Sequence, residues 1–171
     1  MTAARRQRKL CSVLPIPRCA IVLAAVLSAG LALAEPIRAL ITERIVTDPV
    51  SGLAISGFDP VAYFTDRAAL PGKGTFEQVV AGAPWRFRNP GNQAAFAADP
   101  EVYMPRFGGY DPVGIARGVA VAGNPQLWLI SGERLYLFYT PEARSQFAGD
   151  PERMIDAAEQ QWPAVRRQLV P

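Results

Sequence analysis

Phenols, guanidinium groups and carboxylates are the reactive side chains this sequence has to work with, because it contains no histidine and its two cysteines, Cys11 and Cys19, both fall near the start. Six such groups, Tyr63, Tyr103, Arg106, Tyr110, Asp111 and Arg117, are distributed around the pair Gly108-Gly109. Together they could line a pocket that orients a small polar or anionic ligand, with arginine pairing bidentately to a carboxylate or phosphate. The competing reading places the tyrosines in the core with satisfied hydroxyls and leaves the arginines solvated or paired. Asp111 can equally be a turn or helix cap ahead of Pro112.

The elements that position these groups begin after an apparent export signal at residues 1–34. It has a basic head at Arg5, Arg6, Arg8 and Lys9, an apolar run from Ala20 to Leu33, and small residues Ala32 and Ala34 before Glu35. An uncleaved membrane anchor is the alternative, but the run between Arg18 and Glu35 falls short of the roughly 20 apolar residues that span a bilayer. Cleavage predicts a periplasmic or secreted protein and removes both cysteines. It also takes five of the 18 basic residues and none of the 15 acidic ones, leaving 13 against 15 and a net charge of −2. With no long basic run left, nucleic acid is rejected as a partner.

Without thiolate or imidazole, only Met104 and Met154 remain as soft ligands, so a Cu(I) or tetrahedral Zn site is excluded in the mature chain. Thiol redox chemistry and nucleophiles activated by histidine are excluded with it. Asp111 could join Asp59 or Asp99 around a hard metal ion, although Ca²⁺ wants six to eight oxygens and no dense Asp/Asn/Gly loop is present.

Residues 35–56 read as an extended N-terminal arm along the edge of a single domain at 57–171. Asp59-Pro60 predicts a short helix carrying Tyr63 and Phe64. Thr75 to Val80 and Trp85 to Arg88 predict a hairpin with Trp85 and Phe87 on one face and Arg86 and Arg88 on the other. A second hairpin, Leu127 to Ile130 with Leu135 to Tyr139, is apolar on both faces and should be central. Short helices should open after Asn89-Pro90 and Asp99-Pro100, with two more from Thr140 and from Asp150, the last kinked or restarted at Pro163. Between them, Arg106 to Pro112 should be an ordered irregular loop. The fold class is α+β: a small antiparallel sheet of two hairpins covered by several short helices. The only repeated device read from the sequence is Asp-Pro or Asn-Pro, at residues 48, 59, 89, 99, 111, 124 and 150, with no internal repeat longer than that dipeptide.

Gly57-Phe58-Asp59-Pro60-Val61-Ala62-Tyr63-Phe64, Trp85-Arg86-Phe87, the run Asp99-Pro100-Glu101-Val102-Tyr103-Met104-Pro105-Arg106-Phe107-Gly108-Gly109-Tyr110, and Gly132-Glu133-Arg134-Leu135-Tyr136-Leu137 resemble, in order and spacing, the YHS domain family. The resemblance covers about residues 57 to 162. It implies a small α+β domain, frequently exported in bacteria, that binds metal through a cysteine following Gly-Gly-Tyr. Here that position is Asp111, so the metal or thiol site should be degenerate or converted.

The leading expectation is a noncatalytic binding domain that takes a small polar ligand or hard metal ion at the Gly-Gly loop. A second is an envelope interaction module presenting apolar residues of the arm, Ile37 to Ile55, or of the tail, Val165, Leu169 and Val170. A third is a carboxylate enzyme using Asp59 and Asp111, which sit in the motifs that resemble the family and would have to converge in one cleft.

Overall fold

An Asp, Asn or Thr ahead of proline starts most helices of this chain, because the side chain satisfies a backbone N–H that the first helical turn leaves open and proline needs no partner there. The computed structural model describes residues 45–169, within one compact unit, Ile41–Pro171. Residues 1–34, read from the sequence as an export signal, with both cysteines, residues 35–44 of the arm and Val170 of the tail lie outside the described residues. Helix α1 is Ala62–Thr65, α2 is Pro90–Ala98 and α3 is Pro100–Tyr103, followed by α4 (Pro112–Ala116), α5 (Pro141–Gly149) and α6 (Pro151–Gln168). Asn89, Asp111, Thr140 and Asp150 cap α2, α4, α5 and α6 through their side chains. Asp99 does not: it makes no side-chain bond to α3, and its own N–H closes the end of α2 on Ala95 O.

Strands β1 (Lys73–Val80) and β2 (Ala83–Phe87) form one antiparallel hairpin, and β3 (Asn124–Ser131) and β4 (Arg134–Phe138) form another. The α+β class is as expected, but each hairpin is its own two-stranded sheet. Period-two alternation decides where they sit. In β2 the alternate residues Ala83, Trp85 and Phe87 are buried, against a core that includes Ile55, Tyr63 and Phe96. In β4 both faces are buried: Leu135 and Leu137 join that first core, whereas Tyr136 and Phe138 join a second one with Phe107, Ile115, Phe147 and Val165. The second hairpin is thus a partition between two cores, the central position its apolar faces require. α6 continues through Pro163 as one helix, without the expected restart, and Ala158 and Val165 bury on either side of the proline. No helix among the described residues is long and apolar enough to cross a membrane.

The finding the sequence reading missed is a structural repeat of about 51 residues. Each copy runs from a tight turn through an Asp-Pro-Val helix start and a hairpin to two helices. The turns Ile55-Ser56-Gly57 and Phe107-Gly108-Gly109 have φ of 42, 55 and 77° in one copy and 53, 65 and 92° in the other. Asp59 N donates to Leu70 O and Asp111 N to Val121 O, both at 2.9 Å, and Phe58 bridges Pro71 as Tyr110 bridges Ala122. The ladders slip at matching places, between Lys73 and Glu77 and between Asn124 and Trp128. Phe96 and Phe147, the one buried residue of α2 and α5 respectively, each lie 5.1 Å from the last aromatic ring of their hairpin, Phe87 or Phe138.

Gly72 and Gly123 are the paired positions where the backbone passes too close for a side chain. A Cβ would stand 2.4 Å from Arg86 C in the first copy and 2.6 Å from Leu137 Cβ in the second. Gly72→Ala and Gly123→Ala should each destabilise the fold by roughly 2–3 kcal/mol through forced displacement, read as lowered urea midpoints. Gly149→Ala, in helical backbone with nothing within 4 Å, should be neutral or slightly stabilising. Equal behaviour of the three variants would refute the close approach.

Candidate functional site

The Gly-Gly turn exists because its backbone must enter the left-handed region at three successive residues, and glycine does so without the Cβ penalty. Its first-copy counterpart, Ile55-Ser56-Gly57, has one glycine, so the geometry belongs to the repeat and is no special property of the Gly-Gly pair. Gly108 O accepts from Val46 N at 2.7 Å and Gly109 O from Gly123 N at 3.0 Å. These carbonyls therefore hold the arm and the approach to β3. Phe107, Gly108 and Gly109 are all buried.

Asp111 follows directly and is 3% exposed. One carboxylate oxygen, Oδ1, accepts from Val113 N at 2.8 Å, and the other, Oδ2, accepts from Tyr139 N at 3.0 Å, just beyond β4. Asp59 does the same in the first copy: Oδ1 accepts from Val61 N at 2.8 Å and Oδ2 from Arg88 N at 2.8 Å, just beyond β2. Asp59 is fully buried and adds a bond from Asn92 Nδ2 at 2.7 Å. The two carboxylates share no hydrogen-bond partner; each ties its own helix start to its own hairpin. Among the described residues, no three His, Cys, Asp or Glu side chains gather as a metal-holding group.

The remaining residues singled out from sequence are dispersed. Tyr63 is fully buried in the first core, donates from its hydroxyl to Pro125 O at 2.9 Å, and packs edge-on to Trp128. Burial, with a contribution from the nearby Asp59 charge, pushes its phenol above the ordinary tyrosine value. Tyr103 packs edge-on to Phe64 at 5.4 Å. Tyr110 packs near Trp162 of α6, and Arg106 pairs with Glu159 of the same helix at 2.6 Å. Arg117 donates to Gln146 Oε1 at 3.0 Å and faces a groove bounded by α4, the end of α5 and the start of α6.

That groove has a volume of about 340 Å³. Val113, Ala116, Met154 and Ala157 supply its apolar wall, and Arg117, Arg153, Gln146 and Asp150 its polar rim. Of the nine sequence candidates only Arg117 lines it. Arg153 and Met154 were within reach of sequence reasoning through the repeat, since they occupy the places of Val102 and Tyr103 relative to Asp99-Pro100 and Asp150-Pro151.

No family model, curated protein or solved structure matches the chain. The geometry itself makes two predictions. Asp111→Ala leaves two backbone donors unpaired at a buried corner and should cost about 2–3 kcal/mol in urea unfolding, while Asp59→Ala, which orphans Asn92 as well, should cost more. A neutral Asp111→Ala would refute the capping role. Because Tyr63 keeps its proton more tightly folded than unfolded, the stability it contributes is intact below about pH 10, the ordinary tyrosine value, and falls as pH rises past it. Tyr136, raised chiefly by burial, adds to the same alkaline loss. Tyr63→Phe should flatten the alkaline slope and cost about 1 kcal/mol at neutral pH through the orphaned Pro125 carbonyl; an unchanged slope would show that Tyr63 does not ionise on unfolding.

Proposed function

We propose that this chain is an exported, noncatalytic binding domain of the YHS type whose thiol or metal site has been converted into a structural corner. The observation that carries this reading is the identical use of Asp111 and Asp59: both carboxylates accept from the residue two ahead and from the residue just past their own hairpin. An aspartate in the first copy is an ordinary part of the fold. The same residue at 111, where the resemblance implies a metal-binding cysteine, does the same structural work, and the carboxylate oxygens that a metal would need are already accepting hydrogen bonds.

General acid/base catalysis calls for two groups converging on one reacting atom, and Asp59 and Asp111 serve separate repeats. A groove with an apolar wall and a few polar groups at its rim is the usual form of a small-molecule binding site. Binding is therefore assigned to such a surface and not to the Gly-Gly turn.

The test is metal content of the protein purified after export, measured by mass spectrometry, together with thermal-shift titrations of wild type and Asp111→Ala with Cu(I), Cu(II), Zn²⁺, Ca²⁺ and Mn²⁺. Specific binding to the folded state must raise the melting temperature. The expected outcome is substoichiometric metal, no specific shift, and a lower melting temperature for Asp111→Ala under every condition. Stoichiometric metal that disappears in Asp111→Ala would overturn the proposal in favour of oxygen ligation.

A further inference from the structure

The two copies differ in chemistry at the groove beside α4. Counting from Asp59 and Asp111, Phe64 of the first copy corresponds to Ala116 of the second. Counting from Asp99 and Asp150, Tyr103 corresponds to Met154 and Val102 to Arg153. In the first copy, Phe64 and Tyr103 meet as an edge-on ring pair, centroids 5.4 Å apart, partly buried against the first core. In the second, the small Ala116 and the flexible Met154 line the 340 Å³ groove. The same exchange brings charge. Thr65 and Val102 give way to Arg117 and Arg153, and both arginines border the space that the rings would occupy.

Loss of aromatic volume alone would leave a packing defect. Loss of aromatic volume together with gain of two guanidinium groups at its mouth describes a receptor for a molecule that returns the ring and brings a negative charge. We infer that this groove binds a small aryl carboxylate, with the ring against Val113, Ala116 and Met154 and the carboxylate on Arg117 and Arg153. This deepens the proposed binding role by naming its ligand class. Arg117 gives one N–H to Gln146, which orients the guanidinium and leaves its other donors for the ligand. Asp150 at the rim accepts from the backbone N–H of Arg153 at 3.2 Å, and its charge opposes a second negative group. The site should therefore prefer a monocarboxylate to a dicarboxylate or phosphate.

The test is a titration of the purified, isotope-labelled protein with phenylacetate, followed by amide NMR. Phenylacetamide serves as the neutral control and phthalate as the dianion. The expected result is saturable shifts centred on Val113, Gly149 and Met154, with phenylacetamide at least about tenfold weaker, the value of one charge-assisted hydrogen bond. Ala116→Phe, which copies the first repeat, should abolish the shifts while keeping or raising the melting temperature, so a lost signal cannot be put down to misfolding. Arg117→Thr with Arg153→Val should weaken phenylacetate about tenfold and leave phenylacetamide unchanged. No saturable shift up to about 10 mM, a bound well beyond the range of a specific site, would overturn the inference. So would equal binding of acid and amide, or full binding by Ala116→Phe. Metal content is independent of all these outcomes, so failure of the groove and failure of the Asp111 reading are told apart.

Discussion

A buried carboxylate that reaches from the start of a helix to the residue just past a hairpin organises each half of this domain. Leaving a carboxylate in an apolar interior costs several kcal/mol unless its oxygens are fully hydrogen-bonded. At Asp59 and Asp111 the donors are backbone N–H groups that would otherwise be stranded: those of the first helical turn, and those of Arg88 and Tyr139, where the strand ladder has ended. Each side chain therefore removes unpaired backbone groups in two distant segments at once. Because the second donor is 28 or 29 residues along the chain, the bond also fixes where the hairpin folds back, and with it the positions of Phe87 and Phe138 against the helices that follow.

From this shared frame the two copies diverge according to what covers their outer faces. β2 presents Arg86 on its outer face, where it pairs with Glu77 across the strands. β4 has no charged residue between Leu135 and Phe138, and its two faces supply different cores. That one strand converts two similar halves into a single stacked structure. The longer α6, with Trp162 beside Phe107 and Tyr110, then covers the second core, whereas α3 stops at Tyr103 ahead of Pro105.

Local structure was legible wherever it was written in adjacent residues. The first hairpin followed from period-two alternation, the second from two short apolar runs, and the helix starts and turns from Asx-Pro pairs, six of whose seven side chains accept a nearby backbone N–H. Asp99 escaped the rule because its backbone serves the end of α2 instead. The repeat was not legible from identity alone. Only Gly57-Phe58-Asp59-Pro60-Val61 with Gly109-Tyr110-Asp111-Pro112-Val113, and Phe96-Ala97-Ala98-Asp99-Pro100-Glu101 with Phe147-Ala148-Gly149-Asp150-Pro151-Glu152, match clearly. Elsewhere the copies agree in property only, as with Trp85 and Tyr136. The candidate site read from the sequence is dispersed for a different reason. Its residues cluster in sequence around a turn whose carbonyls point inward, so proximity along the chain scattered the side chains over two cores.

Asp111 gains its meaning from this comparison between copies. At the first corner, Asp59 shows which residue the backbone geometry favours when stability alone is at issue: an acceptor with two oxygens for donors from two directions. A thiol at the second corner, which the resemblance implies for related domains, has one weakly accepting sulfur and would leave a donor unpaired. Keeping a cysteine there would make sense only while its ligand chemistry repaid that deficit. Asp111 gives the second corner the same two-oxygen acceptor that Asp59 gives the first. The chemical novelty of the second copy then has to lie away from the corner, where its side chains differ from the first in charge and in volume together, and the groove between α4 and α6 meets both conditions.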